Sequence, residues 1–342
     1  MTDTETVSGG GNTLVGINFT NNDNNYFRNV TMNAAGRDQH NYYSSGELDV
    51  EKVIKWLDAP DPSTNYVTAR DKRVEGTGTW LLNHPQFIQW KEAGDLFWLQ
   101  GKAGSGKTFL CTNVITHLQN QGHRVFYYYF DTLGSDSKVT YKGLLASLLV
   151  NMGMHNNYDQ SILKTLYKNH SQGTSKVPVD VMLDTVFELM DKCSGDTYII
   201  LDAMDECREQ EKVMRLIQQL LEVKNIYVAV TSRFPVDKHL EKLDASEMSL
   251  DNNLQTVDDI VTYVEKGMIV NARKFQGPER EIKETLIEGA HGQIRWVDCQ
   301  CNAFVEWTDP RRSRSNTSTR RQLMDAQPSR GREPEANKPP SN

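Results

Sequence analysis

The stretch from Leu96 to Asn120 constrains the fold of this chain more than any other. An apolar run, Leu96–Gln100 (LFWLQ), leads into Gly101-Lys102-Ala103-Gly104-Ser105-Gly106-Lys107-Thr108, and a helical pattern follows to Asn120. Three glycines in eight residues open backbone conformations closed to other side chains, so the loop can curl with its N–H groups pointing inward. A helix that begins beside Gly106 adds the positive end of its dipole. Lys107 supplies a mobile cation, and the Thr108 hydroxyl is an oxygen ligand suited to a hard divalent ion. Strand, glycine loop and helix in this order fit the phosphate-cradling pattern G-x-x-x-x-G-K-[ST]. The pattern needs a sheet that can present the loop at the carboxyl end of a strand.

The rest of the chain supplies such a sheet. Val125–Phe130 (VFYYYF), Tyr198–Leu201 (YIIL) and Ile226–Thr231 (IYVAVT) are short and continuously apolar, as strands covered on both faces must be. Between them lie helical stretches at Lys107–Asn120, Val139–Met152, Pro178–Cys193 and Glu209–Glu222. The last carries a single stripe of Val213, Leu216, Ile217, Leu220 and Leu221. The expected fold class is α/β: a three-layer P-loop core with a mainly parallel sheet, followed by a small helical subdomain.

Two further elements carry chemistry. Tyr198-Ile199-Ile200-Leu201-Asp202 is an apolar strand ending in a carboxylate, 95 residues after Lys107. At the carboxyl edge of the sheet Asp202 could serve the Mg²⁺ that Thr108 also holds. Asp205 and Glu206 follow three and four residues later, within reach of a water attacking the γ-phosphate. They also suit the first turn of a helix, where acids are favoured. Ile226–Thr231 ends in Ser232-Arg233, and Arg233 is a candidate γ-phosphate sensor. His123, His239 and His291 show no metal spacing, and Cys299-x-Cys301 suits two small core residues better than ligands.

Composition sets the organisation. With 38% hydrophobic and 24% charged residues over 342, the chain can build a sizeable core. A net charge of −7 argues against a dedicated nucleic-acid binder. No apolar run is long enough to cross a bilayer, and the first residues lack a signal peptide's basic and apolar regions. Five cysteines without a CxxC pair fit a reducing cytoplasm. Residues 1–46 read as an Asn/Gly-rich leader, flexible or β-forming, with nine Asn between 9 and 46. Residues 47–94 read as a helical lead-in: a helix through Val53, Ile54 and Leu57, an irregular passage from Tyr66 to Gly78, then a short helix from Thr79 toward Trp90. The core spans 95–235. Beyond Phe234-Pro235 the strands cease, and 236–307 form the helical subdomain, with helices over Leu254–Val270 and Glu279–Ala290. From 308 onward eight basic and four acidic residues mark a disordered basic tail, 308–342.

Three segments together, GKAGSGKT, YIILDAMDEC and VTSRF, resemble the NACHT class of STAND signalling NTPases. The likeness is strongest to the nephrocystin-3-like N-terminal domain of fungal NOD-like receptors. The approach GTGTWLLNHPQFIQWKEAGDLFWLQ, the run Asp258-Asp259-Ile260-x-x-Tyr263-Val264 and the segment Gly292-Gln293-Ile294-Arg295-Trp296-Val297 are similar to segments flanking that family's core, as is NAAGRDQHNYY in the leader. The resemblance covers roughly residues 70–307, and no C-terminal sensor repeats follow, as in a truncated member. It implies a cytoplasmic switch that binds ATP or GTP with Mg²⁺, rests with ADP or GDP, hydrolyses slowly and self-associates when activated. A downstream partner would be reached through the leader, without membrane or specific nucleic acid. Two alternatives stay open: another P-loop ATPase of the AAA or DNA-repair kind, and a truncated, non-enzymatic nucleotide-binding adaptor.

Overall fold

The computed structural model describes residues 49–94, 96–155, 160–192, 195–233, 245–251, 253–271 and 279–307. The leader at 1–46, the tail at 308–342 and His239 lie outside the described residues. Among the described residues five strands form one sheet: β1 (Leu96–Gln100), β2 (Arg124–Tyr129), β3 (Thr197–Asp202), β4 (Ile226–Ser232) and β5 (Ala245–Ser249). Their order is β2-β3-β4-β1-β5, and every pairing is parallel.

Alternation along the strands divides the core in two. Leu96, Trp98, Ile199, Leu201, Val228 and Val230 face one apolar layer, while Phe97, Leu99, Tyr198, Ile200 and Ala229 face the other. The first layer is closed by α1 (Val50–Leu57), α5 (Tyr141–Gly153), α6 (Gln160–Asn169), α7 (Val179–Asp191) and α8 (Gln210–Leu221). The second is closed by α2 (Ser63–Asp71), α3 (Pro85–Ala93) and α4 (Lys107–Asn120). The helix after β1 thus packs on one face and the helix after β3 on the other. Such a reversal opens a crevice at the carboxyl ends of the strands between them. A third cluster, with Ile260, Val264, Leu286 and Val297, joins α9 (Leu254–Asn271), α10 (Glu279–Ala290) and α11 (Ile294–Trp307).

Three expectations are corrected. Strands do not cease at Pro235, because β5 pairs with β1 from Leu96↔Ala245 to Gln100↔Ser249. Its sequence, ASEMS, buries only Met248, as an edge strand can, and so lacks a strand's apolar signature. The passage from Tyr66 to Gly78 is not wholly irregular, since α2 runs to Asp71. Just before its Pro62 cap, the Asp61 carboxylate accepts from Ser63 N at 2.8 Å and Ser63 Oγ at 2.9 Å, which turns the chain into α2. The helix proposed from Thr79 toward Trp90 is a 3₁₀ turn, Thr79–Asn83, and then the separate α3. Pro85 breaks them by holding His84 extended, with ψ of 135°.

Candidate nucleotide-binding site

The loop Gly101–Thr108 hangs between β1 and α4 and is pinned from several sides. Gly101 N donates to Ser232 O, Lys102 N to the Asp251 carboxylate at 3.1 Å, and Arg295 N, in the first turn of α11, to Gly104 O at 3.2 Å. Gly104 and Gly106 adopt φ of +78° and +97°, which side chains with a Cβ rarely accept. A Cβ on them would also lie 3.1 Å from Arg295 Cβ and Ile294 Cδ1 respectively. The glycines therefore serve the curl of the loop and the close seat of α11 upon it.

Lys107 is buried, at 9% exposure, and its Nζ donates to Gly101 O at 2.7 Å and Lys102 O at 2.8 Å. An ammonium has three donors, so one remains for an anion in the loop. Burial lowers the ammonium from its ordinary value, against the pull of Asp202 and Asp205.

Parallel pairing sets the ends of β1, β3 and β4 side by side, and this brings the sequence-predicted acids to the loop. Asp202 is 3% exposed. One of its oxygens accepts from Thr108 Oγ1 at 2.8 Å and the other from Thr231 Oγ1 at 2.5 Å. Burial pushes the Asp202 carboxyl above the usual carboxylate range, opposed by the Thr231 and Thr108 hydrogen bonds and by Lys107. Thr231 Oγ1 in turn accepts from Ala203 N at 3.0 Å. Ala203 has φ of +54°, a left-handed turn that redirects the chain immediately after the acid.

Asp205 and Glu206 follow in a short 3₁₀ turn and meet Arg233. Asp205 accepts from Arg233 N at 2.9 Å and Arg233 Nε at 2.5 Å, and Glu206 Oε1 accepts from Arg233 Nη2 at 3.4 Å. The hydrogen bond to Asp205 and the nearby acids hold the guanidinium above its ordinary value. Glu206 Oε2 accepts from Thr132 N at 2.9 Å and Thr132 Oγ1 at 3.1 Å.

A cleft of about 600 Å³ opens beside the loop, between Thr68 of α2 and Lys72 just beyond it, Lys107 and Thr108, Lys138, and Arg295 of α11. Its size suits a nucleotide-scale ligand, since such pockets run from about 300 to 1,000 Å³. A smaller apolar recess adjoins it, walled by Val74, Gly106, Phe109, Tyr263 and Ile294. Ser105 Oγ and Thr256 Oγ1 line this recess, buried and without hydrogen-bond partners. Asp259 of α9 closes one wall, accepting from Gly78 N at 2.9 Å and Trp80 Nε1 at 2.8 Å. Among the described residues no three His, Cys, Asp or Glu side chains gather as a metal-binding group, and no helix is long and apolar enough to cross a membrane.

Sequence reasoning assigned no role to Thr231, Thr132, Asp259 or Arg295. Only Thr231 left a usable signal: β3 and β4 are neighbouring parallel strands, and the register Leu201↔Val230 carries one step on to Asp202 and Thr231.

The fold and this site together define a nucleotide-binding domain of the P-loop NTPase class. Residues 76–233 match the family model described as nephrocystin 3, N-terminal. Over 242 residues, 66% of the chain, the sequence is 25% identical to the vegetative incompatibility protein HET-E-1 of Podospora anserina, and the match spans 18% of that relative. These two matches support a NACHT-like NTPase. Among solved structures the chain is similar to the replication initiator DnaA bound to AMPPCP and single-stranded DNA, at 14% identity and a TM-score of 0.40 over 75% of this chain and 70% of that one. It is also similar to AMPPCP-bound DnaA from Aquifex aeolicus, at 16% identity and a TM-score of 0.39 over 74% and 70%. Likenesses this distant say nothing about ligand or partner.

Proposed function

We propose that the chain is the nucleotide-controlled switch of a NACHT/STAND signalling protein, binding ATP or GTP with Mg²⁺ and hydrolysing it slowly. The observation that carries the reading is the contact of Thr108 Oγ1 with Asp202 Oδ2, which joins the phosphate loop to a buried acid beside the one charged group of that loop's helix start, Lys107. A hydroxyl and a carboxylate are hard oxygen donors and suit Mg²⁺, which completes its shell from water and substrate phosphates rather than from an all-protein cage. When bound, the ion would neutralise charge on the phosphates.

The chain's own residues do the rest. Lys107 and the loop N–H groups hold the β- and γ-phosphates. The base takes the cleft of about 600 Å³ against Phe109 and Ile294, beside the recess that the Ser105 and Thr256 hydroxyls line. In hydrolysis a bond forms from the water oxygen to the γ-phosphorus, and the bond from that phosphorus to the β–γ bridging oxygen breaks. The water's proton passes to Glu206, helped by Asp205. Arg233, now tied to both acids, would turn to the γ-phosphate and so report its presence. The diphosphate form rests, and the triphosphate form self-associates and signals to a partner through the leader in the cytoplasm. The incompatibility protein matched above favours a role in fungal self-defence or incompatibility.

Glu206→Gln tests the reading, because it keeps size and polarity but removes the charge. ATP or GTP should still bind while single-turnover hydrolysis falls about 10²–10⁴-fold. The variant should retain triphosphate and elute as a larger species. Turnover and elution equal to wild type would refute the switch.

A further inference from the structure

Two buried hydroxyls face the small recess beside the cleft. Ser105 of the loop and Thr256 of α9 are each 2% exposed, and among the described residues neither hydroxyl has a hydrogen-bond partner. For Thr256 the helix supplies the reason. Thr112, Thr116, Thr185 and Thr262 each return their hydroxyl to the carbonyl four residues back in their own helix. Thr256 stands in the first turn of α9, which begins at Leu254, so no helical carbonyl lies four residues behind it. Its hydroxyl is not spent on the helix start either. Asn253 Oδ1 already accepts there from Gln255 N at 2.8 Å and Thr256 N at 3.3 Å.

The recess measures about 20 Å³. One water needs roughly 10–15 Å³, so a single molecule fits. The walls are largely apolar, and a water there depends on the few polar atoms that line them. Besides the two hydroxyls these include the Asp259 carboxylate. Gly78 N reaches both Asp259 oxygens and Trp80 Nε1 reaches Oδ2, which leaves a lone pair on Oδ1. Two hydroxyls and that lone pair make three partners, the usual number for a buried water. Lys72 lines the same recess and disfavours a cation in it. Folded proteins leave few buried polar side chains unsatisfied, and two that face one recess of this size point to one shared guest.

We propose that a bound water bridges Ser105 Oγ, Thr256 Oγ1 and Asp259 Oδ1, which makes Thr256 a positioning residue for the phosphate loop. The loop is then held from α9 as well as from α11, so its shape follows the seat of the helical subdomain. The positioning role rests on the reading of the loop as a phosphate site; the water does not.

Melting of the ligand-free full chain tests the water, and titration calorimetry with ATP and Mg²⁺ tests the positioning. Thr256→Val keeps the shape and removes the hydroxyl. With a water on that hydroxyl the melting temperature should fall by about 2–4 °C, whereas a hydroxyl buried with no partner would be relieved and the temperature would rise. ATP affinity should fall roughly two- to tenfold, the scale of one hydrogen bond, and Thr256→Ser should restore it. Ser105→Ala should lower both readouts in the same direction. Since both hydroxyls hold one water, the double variant should lose clearly less than the sum of the single losses. A melting temperature that rises or stays constant in Thr256→Val, or losses that add in full, overturns the water. A weaker affinity with unchanged ligand-free melting would set the hydroxyl against the base and overturn it equally. Lower melting with wild-type affinity overturns the positioning role. If the wild-type chain binds no ATP, the phosphate-site reading falls and the positioning role with it, while the melting temperatures still decide the water.

Discussion

Thr231 Oγ1 donates to Asp202 Oδ1 at 2.5 Å, at the tips of two neighbouring parallel strands. The same hydroxyl oxygen accepts from Ala203 N, so one small side chain satisfies a buried acid and the turn that follows it. Thr231→Val preserves shape but leaves Asp202 Oδ1 and Ala203 N unpaired. Unpaired buried groups cost about 1–3 kcal/mol, so the melting temperature should fall by several degrees. A thermal scan showing no change would mean that the hydroxyl is dispensable to the strand ends.

Asp202 itself should trade stability for binding. Its folded value is raised by burial, so between the ordinary 3.8 and the raised value the native state binds more protons than the unfolded chain. Stability therefore falls as pH rises through that window, and the loss persists above it. Asp202→Asn removes this titration and keeps one acceptor oxygen, enough for Thr231 or for Thr108 in place but not for both. Denaturant midpoints measured upward from acid pH should diverge in favour of the variant, while its Mg²⁺-dependent nucleotide affinity drops roughly ten- to a hundredfold. Parallel midpoint curves would contradict the assignment.

Lys107→Ala removes the buried cation of the loop. Loss of a charge-assisted contact of about 1.5–3 kcal/mol corresponds to a ten- to a hundredfold loss of nucleotide affinity by titration calorimetry. Wild-type affinity in this variant would disqualify the loop as a phosphate site.

Asp259→Ala should loosen α9 from the lead-in. Gly78 N and Trp80 Nε1 would lose their shared acceptor, at about 1–3 kcal/mol for each donor left buried. Limited proteolysis should then cut the helical subdomain faster than in wild type, and nucleotide affinity should weaken because Asp259 walls the apolar recess. Unaltered cleavage would show that the cluster of Ile260, Val264 and Val297 suffices to hold the subdomain together.

Local sequence made the phosphate loop legible because its function is written in consecutive residues: glycines for the curl, Lys107 for charge, Thr108 for the hydroxyl. Asp202 was legible for a related reason, since a buried strand that ends in an acid breaks its own apolar pattern. The partners of these residues were not. Thr132 reaches Glu206 across 74 residues, and Asp259 reaches Gly78 across 181, through the order of strands and the docking of α9. No periodicity encodes such distances. β5 escaped because a half-exposed edge strand needs only one apolar anchor, Met248, and α2 because its helix start depends on Asp61 rather than on an apolar stripe.

The seat of α11 on Gly104 and Gly106 makes the loop a shared wall. A methyl group added at either glycine would press on Arg295 or Ile294, about 190 residues away, so a change in one stretch bears on the other. A larger residue in the first turn of α11 would narrow the space the loop needs to receive a phosphate, and a smaller one would leave the loop without its backing. Selection on ligand affinity therefore reaches into the helical subdomain even where no side chain there touches the ligand.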